Sequence, residues 1–193
     1  MRIFAAVTYS LGYRWRSGGA KGADEAFERG VLEHPHYRPG TCLEDLTLQI
    51  FLPWNGYKPD PKVEDRKYQD FAKGYIDATK LPAYRQAQEM APYYHPLGDR
   101  LRDPERRGIF GMHARNMFQP LGPDLQSPSR HVYLYATPTA DGKHVNGGTR
   151  TAHFVAVNNK VPVTNFYFDE SRNRIVEFLR EYALKNLVAP NRS

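Results

Sequence analysis

Residues 17–30 read SGGAKGADEAFERG, and this stretch decides the fold. The segment before it, Tyr13 to Arg16, has the residue types of a short strand, while Ala23, Ala26, Phe27 and Val31 after it share one helical face. Between them Gly18 and Gly19 permit positive φ and close approach of a ligand to the backbone. The following helix then presents unpaired amides at its positive end, which suits a phosphate. The same turn also serves plain packing, and Asp24, Glu25 and Glu28 serve equally to compensate the helix dipole.

Working outward, Ile3, Ala6, Val7 and Leu11 predict a helix over 2–11 that stops at Gly12. His34 and His36 lie in a Pro- and Gly-rich loop with no third ligand nearby, so no metal is expected there. The run LQIFL at 48–52 has the length and apolarity of a buried parallel strand. Trp54 and Tyr57 follow its carboxyl end, where open α/β sheets hold ligands. Each is either a stacking residue or a packed rim aromatic.

Residues 58–108, broken by Pro82, Pro92, Pro96 and Pro104, read as a helical insertion, with helical pieces near 64–78, 83–91 and 105–118. In GIFGMHARNMFQ, residues 108–119, the polar positions are His113, Arg115 and Asn116. A strand over 130–137, a second Gly-Gly turn at 147–148 and a helix bearing Ala152, Phe154, Val155 and Ala156 repeat the first pattern. A strand over 160–166 and a helix over 169–187 complete it, the latter burying Ile175, Val176, Phe178, Leu179, Tyr182 and Leu187. The alternation predicts an α/β, three-layer Rossmann-like sandwich with a mostly parallel central sheet, its two Gly-Gly turns at one edge.

The 193 residues fit one domain, 1–193. With 27 basic against 21 acidic residues the net charge is +6, which favours an anionic ligand without choosing between a nucleotide and nucleic acid. Cys42, the single cysteine, excludes an intramolecular disulfide and a multi-cysteine zinc site. The N-terminal apolar run is too short for a membrane helix, so a soluble cytoplasmic protein is expected, with no membrane partner.

SGGAKGADEAFERG resembles the first signature of the SLOG branch of Rossmann-like nucleotide binders, which includes the DNA-processing protein DprA and the LOG-type phosphoribohydrolases. GGTRTAHFVAVNNKVPVTNF resembles the second. The ordered blocks WRSGGA, LPWNGY, MHARN and NGGTRT are similar to a set of SLOG proteins common in bacteriophages. The hydrolases carry MHxRK and PGGxGTxxE motifs. Arg115 falls on their catalytic arginine and Asn116 on the following lysine, while Phe154 occupies the position of their glutamate. Loss of that carboxylate argues for binding without turnover, because an oxocarbenium-like transition state needs it.

The resemblance therefore implies a protein that sequesters or senses a nucleotide or nucleotide-derived signal, for example an ADP-ribose derivative, with an anti-defence use as the corollary. Ser17, Gly18, Gly19 and Ala20 would line the phosphate from one side and Gly147, Gly148, Thr149 and Arg150 from the other. Arg115 or Arg150 would pair with phosphate oxygens, Asn116 would lie beside them, Asp24 or Glu28 would take ribose hydroxyls, and Trp54 would cover the base. If the protein is an enzyme, Glu28 and Arg115 are its catalytic candidates, for N-glycosidic hydrolysis. A DprA-like single-strand DNA binder is the remaining reading. A homo-oligomer is expected by the same resemblance; no cofactor or metal is.

Overall fold

The computed structural model describes residues 1–57 and 70–187. In chain order they form α1 (Arg2–Ser10), β1 (Trp15–Ser17), α2 (Ala23–Leu32), β2 (Leu48–Leu52), β3 (Tyr75–Asp77), α3 (Tyr84–Tyr94) and α4 (Arg107–Asn116). Then come α5 (Phe118–Leu121), β4 (Val132–Leu134), α6 (Thr149–Asn158), β5 (Val163–Asn165) and α7 (Asp169–Leu187). All pairings between these strands are parallel. They form a three-stranded sheet of order β1-β2-β3 and a two-stranded sheet β4-β5. This is the Rossmann-like α/β alternation that the sequence predicts.

Strand β2 explains the layering, because all five of its residues are buried. Leu48, Ile50 and Leu52 point to one face, where they meet Phe4 and Ala5 of α1, Phe27 and Val31 of α2, and Phe166. Phe51 points to the other and joins Ile76, Ala114, Met117, Phe118 and Val155. The period-2 alternation of a strand thus divides the apolar material into two cores, with helices outside each. On the first face α1 and α2 pack so closely that a β-carbon at Gly30 would lie 2.2 Å from the Arg2 carbonyl oxygen. Glycine is the residue that allows that approach.

Several boundaries differ from the sequence expectation. The helix over 64–78 is not formed in its described part, 70–78: a 3-10 turn at Phe71–Lys73 is followed by β3. The Ile50 amide donates to the Gly74 carbonyl at 2.7 Å, so the open edge of β2 recruits this segment as a strand against its local preference. Residues 64–69 lie outside the described residues. Region 58–108 thus supplies a sheet strand and α3 as well as connecting turns. The strands expected over 130–137 and 160–166 shorten to β4 and β5, and the helix expected over 105–118 divides into a 3-10 turn, α4 and the start of α5. On α7, Ile175, Phe178 and Leu179 pack against the first core, but Val176 is exposed; the side chain of Leu187 lies outside the described residues. Among the described residues, no helix is long and apolar enough to cross a membrane.

Candidate functional site

The chain leaves β1, visits β2 and β3 on one side, and returns to β4 and β5. Strands β1 and β4 face each other with no ladder joining them. Trp15 and Tyr133, one from each, still place their ring centroids 6.0 Å apart. This is where the strand order reverses, the position at which open α/β sheets hold ligands. A cleft of about 1320 Å³ occupies it, walled by Trp15, Arg16 and Ser17 on one side and by Val132 to Tyr135 on the other.

The first Gly turn sits at the carboxyl end of β1, and its amides are already engaged. The α2 register carries Asp24 back over the turn, so its Oδ2 accepts from the amides of Gly18 at 3.0 Å and Ala20 at 3.2 Å. The Gly19 amide donates to Ser17 Oγ at 3.2 Å. These donors were expected to face phosphate, and here the chain's own carboxylate and hydroxyl take them. The reason is local: a carboxylate in the first turn of a helix gains from both the amides and the helix dipole. One helical turn on, buried Glu28 accepts from Ser17 Oγ at 2.5 Å, behind the cleft wall.

The second Gly turn is different. Gly148 leads into α6 with no side-chain cap and no acid in the first helical turn, and Gly148 and Thr149 line the cleft. The Arg150 amide donates to the Gly147 carbonyl at 3.1 Å, and the other amides of this helix start suit an anion.

Helix α4 joins the two turns. Arg115 Nη1 donates to the Phe51 carbonyl at 3.0 Å, at the end of β2, and the guanidinium lies directly over Gly18. Asn116 Nδ2 donates to the Gly148 carbonyl at 3.1 Å, and His113 Nδ1 shares a 2.7 Å hydrogen bond with Thr151 Oγ1. Three of the last four residues of α4 therefore set both turns from one rigid element. Burial, the His95 ring 4.2 Å away and the Arg115 charge hold the His113 pKa down to about 4, so it is neutral at physiological pH.

The charged side chains lining the cleft among the described residues are Arg14, Arg16, Lys21, Arg115 and Arg130 against the single acid Asp24. Arg16 is partly committed, donating to Gln49 Oε1 at 3.1 Å and to the Ser127 carbonyl at 2.7 Å. The cleft is accordingly a cationic one with aromatic walls, suited to an anion that bears a planar ring.

Of the residues singled out in the sequence, Ser17, Ala20, Asp24, Arg115, Asn116, Gly148 and Thr149 come together on this cleft. Gly18 and Gly19 lie just behind Ser17 and Ala20, with Gly18 beneath Arg115. Gly147 and Arg150 flank the second turn without lining the cleft, and the Arg150 charge helps hold the His95 pKa below its ordinary value after burial has lowered it. Trp54 is not part of the wall. Its ring packs toward α4, with Cε3 3.7 Å from where a Gly111 β-carbon would stand, and it touches Tyr57, which does line the cleft. The small residues of α4 offer the indole a flat apolar seat, and that packing prevails over the strand-end position. Phe154 packs 4.8 Å from His144 and 6.0 Å from Tyr94, away from the cleft. Arg14, Arg16, Lys21, Arg130 and Tyr135 line the cleft without being sequence candidates. Tyr135 was legible by the strand-end rule that selected Trp54, whereas the cations carry no local signal.

Among the described residues, no group of three or more His, Cys, Asp or Glu side chains is placed to hold a metal ion. None of the family models, curated proteins or solved structures compared with this chain matches it.

Proposed function

We propose that this chain is a SLOG-like protein that binds a nucleotide or nucleotide-derived anion, such as an ADP-ribose derivative, and sequesters or senses it without turning it over. One observation carries this reading: at the strand-order reversal a cleft holds Lys21 and Arg115 beside the Gly turns, Arg16 on β1 and Arg14 and Arg130 toward the amino ends of β1 and β4, against one carboxylate that already serves two backbone amides. At about 1320 Å³ the cleft exceeds the roughly 300–1,000 Å³ common for ligand pockets. In this reading phosphate oxygens sit at the Gly148–Thr149 helix start, with Arg115 opposite, and Asp24 offers its remaining lone pairs to ribose hydroxyls. An anti-defence use, in which the ligand is a signal withdrawn from circulation, follows from the resemblance to bacteriophage SLOG proteins.

Calorimetry against nucleotides, cyclic dinucleotides and ADP-ribose derivatives tests the proposal. Saturable binding of at least one, with the ligand recovered intact, is the expected result; no binding by any member overturns it.

One observation favours a second reading, N-glycosidic hydrolysis: the buried Glu28 carboxylate lies 2.5 Å from a Ser17 hydroxyl on the cleft wall. Release of free base, lost in Glu28→Gln, would replace the first reading with this one.

A further inference from the structure

Three large aromatic side chains stand exposed together just past the carboxyl ends of β4 and β5: Tyr135 at 49%, Tyr167 at 39% and Phe168 at 46% relative exposure. The Tyr135 and Tyr167 ring centroids are 6.2 Å apart and those of Tyr167 and Phe168 5.5 Å, at interplanar angles of 66° and 87°. In each edge-on contact the edge of one ring meets the face of the other, so the two contacts cover at most two of the six ring faces.

The backbone beneath them is fixed. Asn165 accepts from the Ala136 amide at 3.1 Å and donates to the Ala136 carbonyl at 2.7 Å, stapling the two strand ends together. Its Oδ1 also accepts from the Tyr167 amide at 3.1 Å, and Arg172 donates to the carbonyls of Phe166 and Tyr167, both at 2.7 Å. Exposed rings on a backbone held this way lose little further freedom when something stacks on them, which is the condition for a preorganised binding surface. Tyr135 also lines the cationic cleft, so the cluster is continuous with it.

We infer that Tyr135, with Tyr167 and Phe168 beside it, is a stacking platform for the planar aromatic base of the ligand whose phosphate lies in the cleft. The inference rests on the nucleotide reading above and adds the part of the ligand that reading leaves unplaced. An uncharged nucleobase stacks on any aromatic face, and the neighbouring cations serve the anionic remainder.

Three probes separate the two proposals: ADP-ribose, base-free ribose 5-phosphate, and uncharged adenosine. Titrations are carried out on the wild-type chain, Tyr135→Ala and Tyr135→Phe, with circular dichroism confirming that each variant is folded. The platform requires ADP-ribose to bind more tightly than ribose 5-phosphate, with Tyr135→Ala losing roughly five- to hundredfold in affinity for ADP-ribose alone and Tyr135→Phe losing little. Equal loss for both anions, or no loss, overturns the platform and leaves the nucleotide reading standing. If neither anion binds, the nucleotide reading is decided by the wider panel above, and NMR with millimolar adenosine decides the platform separately. Shifts confined to the rings of Tyr135, Tyr167 and Phe168 uphold it, and unmoved ring resonances overturn it. A change of oligomeric state in Tyr135→Ala, without a change in affinity, also overturns it by assigning the cluster to a second copy of the chain.

Discussion

Gly18 lies so close beneath Arg115 that a β-carbon at position 18 would stand 2.2 Å from the arginine Nη1. The contact joins the end of β1 to the C-terminal turn of α4, and it fixes the guanidinium between the Phe51 carbonyl and the cleft. The glycine leaves the guanidinium its room, since a side chain at position 18 would have to push aside the ends of Arg115 and Gln119.

Gly18→Ala is therefore expected to displace Arg115 and Gln119, whose Nε2 would be 2.9 Å from the new methyl group. Overpacking of this kind costs about 1–3 kcal/mol. Urea denaturation of Gly18→Ala, Arg115→Ala and the double variant measures the coupling. The expected outcome is strong non-additivity, with the second change costing less in the presence of the first.

Asp24→Ala removes the carboxylate that serves the Gly18 and Ala20 amides. The loss is expected to cost about 1–3 kcal/mol, the cost of leaving donors without their acceptor, while opening an anion site in the first Gly turn. Thermal melts in rising phosphate should show a steeper gain in Tm for the variant than for the wild type. Parallel curves would mean that the freed amides find another partner within the chain.

Glu28→Gln keeps the shape of a buried side chain and puts an amide where the carboxyl accepts from Ser17 Oγ at 2.5 Å. A loss of about 1–2 kcal/mol in stability is expected, the order of one disturbed buried hydrogen bond. Chromatography of nucleotides incubated with either protein should show no free base.

Stability should also fall between pH 6.5 and 4. His113 is held to about 4 in the folded chain against 6.5 when unfolded, so over that interval the unfolded state binds the extra proton. The folded state is thus fully favoured above pH 6.5 and loses on the order of 2–3 kcal/mol as the pH drops to 4. His95, His131 and His153, all lowered chiefly by burial, act in the same direction. Urea midpoints across this range should shift less in His113→Gln than in the wild type.

The sequence by itself determined the strands, the helices and the turns whose signals are local. LQIFL is buried on both faces, as its apolar residues favour and as the hydrogen bond from Arg16 to Gln49 allows, SGGA and NGGT open helices, and the strand-helix alternation leads to parallel pairing. Tertiary structure alone decided what those elements meet. Residues 75–77 became β3 because β2 offered an unpaired edge, and Trp54 turned toward α4 because Gly108 and Gly111 left it a seat. The equivalence of the two Gly turns also ended there: Asp24 closes the first onto the chain itself, and the second stays uncapped beside the cations that gather from β1, α4 and the β4 approach. The physical reason is range. Backbone preference and apolar period act over a few residues, whereas the partner of an amide, a ring or a guanidinium is set by contacts that only the folded chain brings together.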